Sequence, residues 1–413
     1  MKQVYRQAAA TYENGKVTVT NRRYFSDLSD FDMVWKLECD GKIYAQGRVN
    51  GLDIAAQERK TYELIDPATV CGHAFLTLSF VQNSATLWAD AGYETGFEQF
   101  DLTILSDKLP PRKTTVLTYT ETDSLLTVSA GNAEYLFDKR RGKVMQIKCG
   151  DQAVLNTPVA FSLWHAPTIN GSSAELWFKL FLDKAMQKTY STEVRPVDET
   201  KLEVITQIAL GPAASLPSIK ATVVYTFCND GAMEIRFDGR LKDMIPRLPL
   251  LGLELHLPKE FDQAKYYGHG PIEAYSDRHF STKVGLYETT ADDNFEHYIR
   301  PQENGSHYGT VWAQVANANG RGLYFAPLKD SELCFNISRF TSQDLYAAKH
   351  DYELVPRDES VVRLDYRITA ISESDLLAKV YPERDGLAAR ELSFGFVIKP
   401  FAAMPDPFAE TYR

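Results

Sequence analysis

The chain has 413 residues, room for two or three domains of the usual ~100–200 residues each. Hydrophobic residues make up 44% and charged residues 24%, ordinary globular usage that excludes a disordered or collagen-like chain. Lys and Arg total 45 against 55 Asp and Glu, a net charge of -10 with no basic run, so a nucleic-acid surface is not expected. No stretch of about 18 apolar residues is present to span a bilayer, so no membrane partner is expected. Five cysteines, at Cys39, Cys71, Cys149, Cys228 and Cys334, are odd in number and include no CxxC. That pattern suggests neither a disulfide framework nor a zinc site, and it points to a cytoplasmic location. A removed leader, or a start in mid-protein, leaves the same appearance.

Aromatic residues reach 12%, with 22 Tyr, 22 Phe and 5 Trp, and such wealth favours pleated, half-buried surfaces. In chain order, residues 16–20 alternate Val17 and Val19 after Asn14-Gly15. Met33, Trp35, Leu37 and Cys39 alternate up to Asp40-Gly41, a pair that tolerates positive φ. Ala74, Leu76, Leu78 and Phe80 share the face of another strand, and Phe100, Leu102 and Ile104 close the series. This spacing predicts a small two-sheet sandwich. The linker falls at 108–113, around Pro110-Pro111, where proline removes backbone donors and stiffens the chain. Strands resume at 125–129, 133–137, 143–147, 221–227, 234–237 and 251–257, and about 300 residues with so little helix need a large sandwich or barrel. Two helices are predicted, at 175–187 and at 341–349, the second opening on Thr341 and Asp344 in a capping-box arrangement. The fold class is all-β.

The most distinctive segment is Tyr-Gly-His-Gly-Pro-Ile-Glu-Ala-Tyr-Ser-Asp-Arg at 267–278. His269 and Glu273 are candidates for an acid–base pair, and Asp277 with Arg278 for an orienting pair. The plainer reading, favoured here, is a turn pinned by internal hydrogen bonds, because buried turns need such partners. Residues 300–305, Arg-Pro-Gln-Glu-Asn-Gly, read as a structural loop. Trp164-His165 and Trp177 flank the polar loop 168–173, either as aromatic walls for a sugar or as core tryptophans. There is no HExxH, P-loop or GxSxG motif, and no catalytic set emerges from spacing alone.

These motifs, with Phe-Asn-Ile-Ser-Arg-Phe at 335–340, the closing Ser-Phe-Gly-Phe-Val-Ile-Lys-Pro at 393–400, and Asn21 through Gly47 in the first part, resemble the C-terminal region of bacterial β-galactosidases of glycoside hydrolase family two. The resemblance covers essentially the whole chain, in order. It implies an immunoglobulin-like β-sandwich at 1–107, a linker at 108–113, and a large antiparallel supersandwich of the galactose-mutarotase type at 114–413. In this family both catalytic glutamates stand on a preceding barrel, and nothing here resembles that barrel. The resemblance therefore implies no catalytic residue in this chain, which alone would be inactive. The implied partners are the catalytic barrel portion or large subunit and a carbohydrate substrate, with a homo-oligomer as a further candidate. No cofactor or metal is expected in this chain, since the family's Mg and Na ions are bound mainly outside the region.

The substrate-binding candidates carried over are His165, Asn170, Glu373, Asp375 and Leu376. In the family a Gly-Gly-Asp-Asp-Ser-Trp loop brings a Trp against the galactosyl ring. In the register set by Asp365-Tyr366-Arg367 and Tyr381-Pro382-Glu383, Leu376 replaces that Trp. His165 stands where an Arg is common. The competing reading is an autonomous mutarotase or carbohydrate-binding module that uses His269 with Glu273, or His165 with Glu373.

Overall fold

The computed structural model describes residues 2–64, 72–105, 114–169, 174–213, 215–369, 371, 386–403 and 406–411. The chain divides into two compact units, Met1–Leu109 and Pro110–Thr411. In the first, Ala8–Glu13, Lys16–Asn21 and Arg59–Glu63 form a three-stranded sheet. Lys42–Val49, Phe31–Cys39, Ala74–Gln82 and Glu94–Asp101 form a four-stranded one. Every pairing is antiparallel. Two hairpins turn on the pairs read from the sequence: Asn14 and Gly15 have φ of 49° and 81°, Asp40 and Gly41 of 48° and 70°. Two successive positive φ values supply the twist that matches the flanking strands. The alternating Val17, Val19, Met33, Leu37, Leu76, Leu78 and Phe80 pack into one core between the sheets. Phe100 and Leu102 pack against that core, but Ile104 lies beyond the strand end and is 55% exposed.

The second unit is a supersandwich. Its nine-stranded sheet runs, in spatial order, Met186–Asp198, Lys201–Gly211, Ile219–Cys228, Met233–Leu241, Glu391–Phe401, Gly322–Pro327, Trp312–Ala316, Gln263–Gly270, Lys283–Thr290. A five-stranded sheet (Gln152–Ala153, Lys143–Cys149, Ala133–Asp138, Leu125–Ala130, Leu117–Glu121) and a four-stranded one (Ala160–Ser162, Leu250–Pro258, Glu359–Ile368, Cys334–Ser338) pack against it. One continuous core joins all three sheets, through Tyr135 and Phe137, Phe227 and Phe237, and Leu253 and Val362. The ring centres of Tyr135 and Phe227 are 5.1 Å apart and those of Phe161 and Phe237 5.3 Å, distances at which aromatic pairs attract. The fold is all-β: an antiparallel sandwich followed by a large antiparallel supersandwich.

Helices are few and short. The predicted helix at 341–349 forms as Ser342–Ala347 on the expected capping box, Thr341 accepting from the Asp344 N–H while Asp344 accepts from that of Thr341. The predicted helix at 175–187 is only Ala174–Lys179. Phe181 turns into the left-handed region at φ 53°, and Met186 already opens a thirteen-residue strand. Hydrogen bonding along the whole length of 201–211 decided that segment, overriding local preference.

Candidate functional site

The segment at 267–278 begins as the end of strand Gln263–Gly270 and leaves the sheet through a cis Gly270–Pro271 peptide. Glu273 then turns inward and is 9% exposed. It accepts hydrogen bonds from the Arg278 guanidinium, the Tyr298 hydroxyl, the Gly305 N–H at 2.9 Å and the Tyr275 hydroxyl at 3.4 Å. Both carboxylate oxygens are thus engaged in tying this segment to the connection between strands Lys283–Thr290 and Trp312–Ala316. His269 donates or accepts nothing toward Glu273; its Nδ1 pairs with Thr282 Oγ1 at 3.0 Å. Burial and the neighbouring His279 depress His269 to about 4. The acid–base pair suggested for His269 and Glu273 is therefore not formed. Arg278 faces Glu273, while Asp277 accepts from the Ile371 N–H at 3.3 Å. The favoured reading, a turn pinned from within, describes this segment.

The loop at 300–305 supplies a second buried carboxylate. Glu303 is 1% exposed and is held by both terminal nitrogens of Arg363, with Nη1 to Oε2 at 2.8 Å, and by Ser306 Oγ at 3.2 Å. Arg363 lies on strand Glu359–Ile368, and Asp365 two residues on is wholly buried. Arg363 Nε is 3.2 Å from Asp365 Oδ2, but the geometry is not that of a hydrogen bond, and both Asp365 oxygens lack a hydrogen-bond partner. One guanidinium therefore faces two carboxylates in a sealed interior. Burial would raise Glu303, but Arg363 outweighs it and holds Glu303 below the ordinary carboxylate range. Asp365 goes the other way: burial pushes it up to about 7, against the pull of Arg363. One proton shared out this way spares the interior an uncompensated negative charge.

This cluster reaches the loop that begins at Trp164. Glu303 N–H donates to Ala166 O at 3.1 Å, and Ile169 N–H donates to Gln302 Oε1 at 2.9 Å. Thr168 Oγ1 donates to Ile371 O at 3.1 Å, joining segments about 200 residues apart. His165 is 2% exposed, donates from Nδ1 to Ala166 O at 3.0 Å and packs edge-on against Trp177, ring centres 5.1 Å apart. Burial lowers it, with Glu303 opposing. As placed, it is packed into the interior behind Trp177 and supports the loop. Trp164 and Trp177 are each 3% exposed, so both are core residues and not walls of a sugar site. Asn170, Glu373, Asp375 and Leu376 lie outside the described residues.

Sequence reading missed Arg363 and Asp365 as site residues. The signal was present: Val-Val-Arg-Leu-Asp at 361–365 sets two charges inside an apolar strand, and such charges must find partners within. Among the described residues, no group of three or more His, Cys, Asp or Glu could hold a metal ion, and no helix is long and apolar enough to cross a membrane.

Fold and loops together define a two-sandwich β protein whose motif segments serve as buried scaffold around a shared loop edge. The family described as beta galactosidase small chain matches residues 129–398, and that described as beta-galactosidase, domain 4, matches residues 17–103. The chain belongs to the beta galactosidase small chain family. It is similar to the beta-galactosidase of Actinobacillus pleuropneumoniae, 29% identical over 384 residues, with 91% of this chain and 37% of that protein covered. The beta-galactosidase of Priestia megaterium is likewise 29% identical, over 399 residues, covering 94% and 37%. The chain thus spans about 37% of the length of these curated relatives. Among solved structures, galactose 1-epimerase from Lactobacillus acidophilus is matched at a TM-score of 0.36 and 8% identity, over 71% of this chain and 100% of that one.

Proposed function

We propose that this chain is the C-terminal portion of a β-galactosidase-type glycoside hydrolase, acting with a catalytic barrel carried by the remainder of the enzyme. It completes the active-site wall and the assembly, and the whole enzyme hydrolyses terminal β-galactosides. The observation that carries this reading is the ordered pair of family matches, at 17–103 and 129–398, on a chain that spans 37% of each of two β-galactosidases. The geometry supports it as well. Glu273, Glu303, Arg363 and Asp365 are spent on scaffolding, and what they hold in place is the loop edge at 164–169, 277 and 371. Double-displacement chemistry needs two carboxylates about 5–5.5 Å apart flanking the sugar, and engaged, sealed carboxylates do not supply them. In an assay of the pure chain with nitrophenyl β-galactoside, no hydrolysis above the buffer rate is expected. Turnover that disappears in Glu273→Gln would overturn the proposal in favour of an autonomous enzyme.

A further inference from the structure

Two histidines beside the 267–278 segment are set up in a way that scaffolding does not explain. His279 Nδ1 lies 3.1 Å from Tyr275 O, a carbonyl that can only accept, so the nitrogen carries the proton. Thr282 Oγ1 donates to His279 O at 2.6 Å, its single hydrogen thereby used. The contact of His269 Nδ1 with that same hydroxyl, at 3.0 Å, must then be donated by the imidazole. In the neutral form both rings are therefore held in the same tautomer, with a bare lone pair on Nε2. Neither Nε2 has a hydrogen-bond partner among the described residues, and neither is sealed from water. Tyr308 packs against both rings, at 5.9 Å from His269 and 5.0 Å from His279, and Phe280 stacks on His279 at 4.5 Å, which fixes their orientation.

The spacing of the rings fits an ion shared between them when both Nε2 atoms face it. Their centres are 5.1 Å apart. A zinc–nitrogen bond of about 2.0–2.1 Å, plus about 1.15 Å from nitrogen to ring centre, sets each ring centre about 3.2 Å from a bound ion, and a tetrahedral angle then separates two centres by about 5.2 Å. A right angle, as in square-planar or octahedral ions, would bring them to about 4.5 Å. We infer that His269 and His279 form a two-imidazole site for a tetrahedral divalent ion of the zinc type, both ligating through Nε2, with water in the remaining positions. Thr282 and the Tyr275 carbonyl are its positioning groups, the usual arrangement in which a ligating histidine donates its other N–H to an oxygen. The ion would tie the end of strand Gln263–Gly270 to the turn that follows Asp277 and Arg278, stiffening the segment that holds Glu273 and Ile371.

The test is a calorimetric titration of the full chain with Zn2+, alongside nitrogen NMR of the histidine rings. The expected result is one saturable site, with the Nε2 resonances of His269 and His279 moving together on addition of the ion. His269→Gln and His279→Gln should each weaken binding at least about tenfold, and Thr282→Val, which frees the His269 ring, should weaken it by about 10–100-fold. His256→Gln should leave it unchanged, because both nitrogens of His256 are already engaged by Glu254 and Glu359. No saturable binding by the wild-type chain, or Nε2 resonances that stay still during saturation, would overturn the inference. The NMR arm uses the unmodified protein and so does not depend on any variant folding.

Discussion

Replacing Asp365 by Asn should stabilise the larger unit at alkaline pH and leave it nearly unchanged near pH 4. In the folded chain Asp365 is wholly buried and pushed up to about 7, against an ordinary value of 3.8. Below pH 3.8 both folded and unfolded forms are protonated, and the group has no effect. Between 3.8 and about 7 the unfolded chain releases a proton that the folded chain keeps, so stability falls as pH rises and then levels off above 7. About three pKa units at ~1.4 kcal/mol each set an upper bound of roughly 4 kcal/mol. The pull of Arg363 is already contained in that net value, and a neutral amide must still be seated in the sealed site without new partners, so a gain of about 2–3 kcal/mol at pH 8 is expected. Arg363 keeps its counter-ion, because Glu303 accepts from both of its terminal nitrogens. The assay is urea unfolding at pH 4, 6 and 8, followed by the fluorescence of the buried Trp164, Trp177 and Trp312. A variant less stable than wild type at pH 8, or a difference that does not vary with pH, would refute the division of charge between Glu303 and Asp365.

Three further outcomes are expected. Glu273→Gln should cost about 2–4 kcal/mol in the same assay, since it removes the anion that Arg278, Tyr298 and the Gly305 N–H converge upon. His256 lies between Glu254 and Glu359 at 2.9 and 2.8 Å; burial alone would lower it, but the two carboxylates outweigh burial and raise it. Its contribution is therefore complete below pH 6.5 and lost as pH rises through the raised value, so His256→Gln should destabilise at pH 5.5 and hardly at all at pH 9, as read by melting temperature. Thr341→Ala removes half of a capping box and should cost about 1 kcal/mol, measured by denaturant midpoint.

The parts legible in the sequence are those that local physics decides. Val17 and Val19 alternate because one face of their strand is buried, and the Asn14-Gly15 and Asp40-Gly41 turns carry their own φ preference. Thr341 with Asp344 is a local hydrogen-bond exchange, and it formed as read. The end of the first helix was not legible, because the strand Met186–Asp198 exists only by pairing with residues 201–211. The candidate site was only partly legible. Glu273 and Glu303 were singled out by their motifs, but their roles depend on Arg278, Tyr298 and Arg363, the last 60 residues away from Glu303. His165 matched a motif position that suggested substrate contact, yet the packing of Trp177 over it placed it in the interior. Family motifs of this kind report the backbone architecture of a loop edge as readily as they report chemistry.

The central claim, that this chain supplies the non-catalytic portion of a larger enzyme, is tested most directly by complementation. The Actinobacillus pleuropneumoniae beta-galactosidase, shortened by the 37% of its length that this chain matches, would be coexpressed with this chain and assayed on nitrophenyl β-galactoside. That enzyme's own missing region, supplied separately, serves as the positive control. The account predicts no hydrolysis by either piece alone and hydrolysis when the two are combined. Hydrolysis by this chain alone would contradict it, and so would failure of this chain to bind or activate the shortened enzyme when the control region does both.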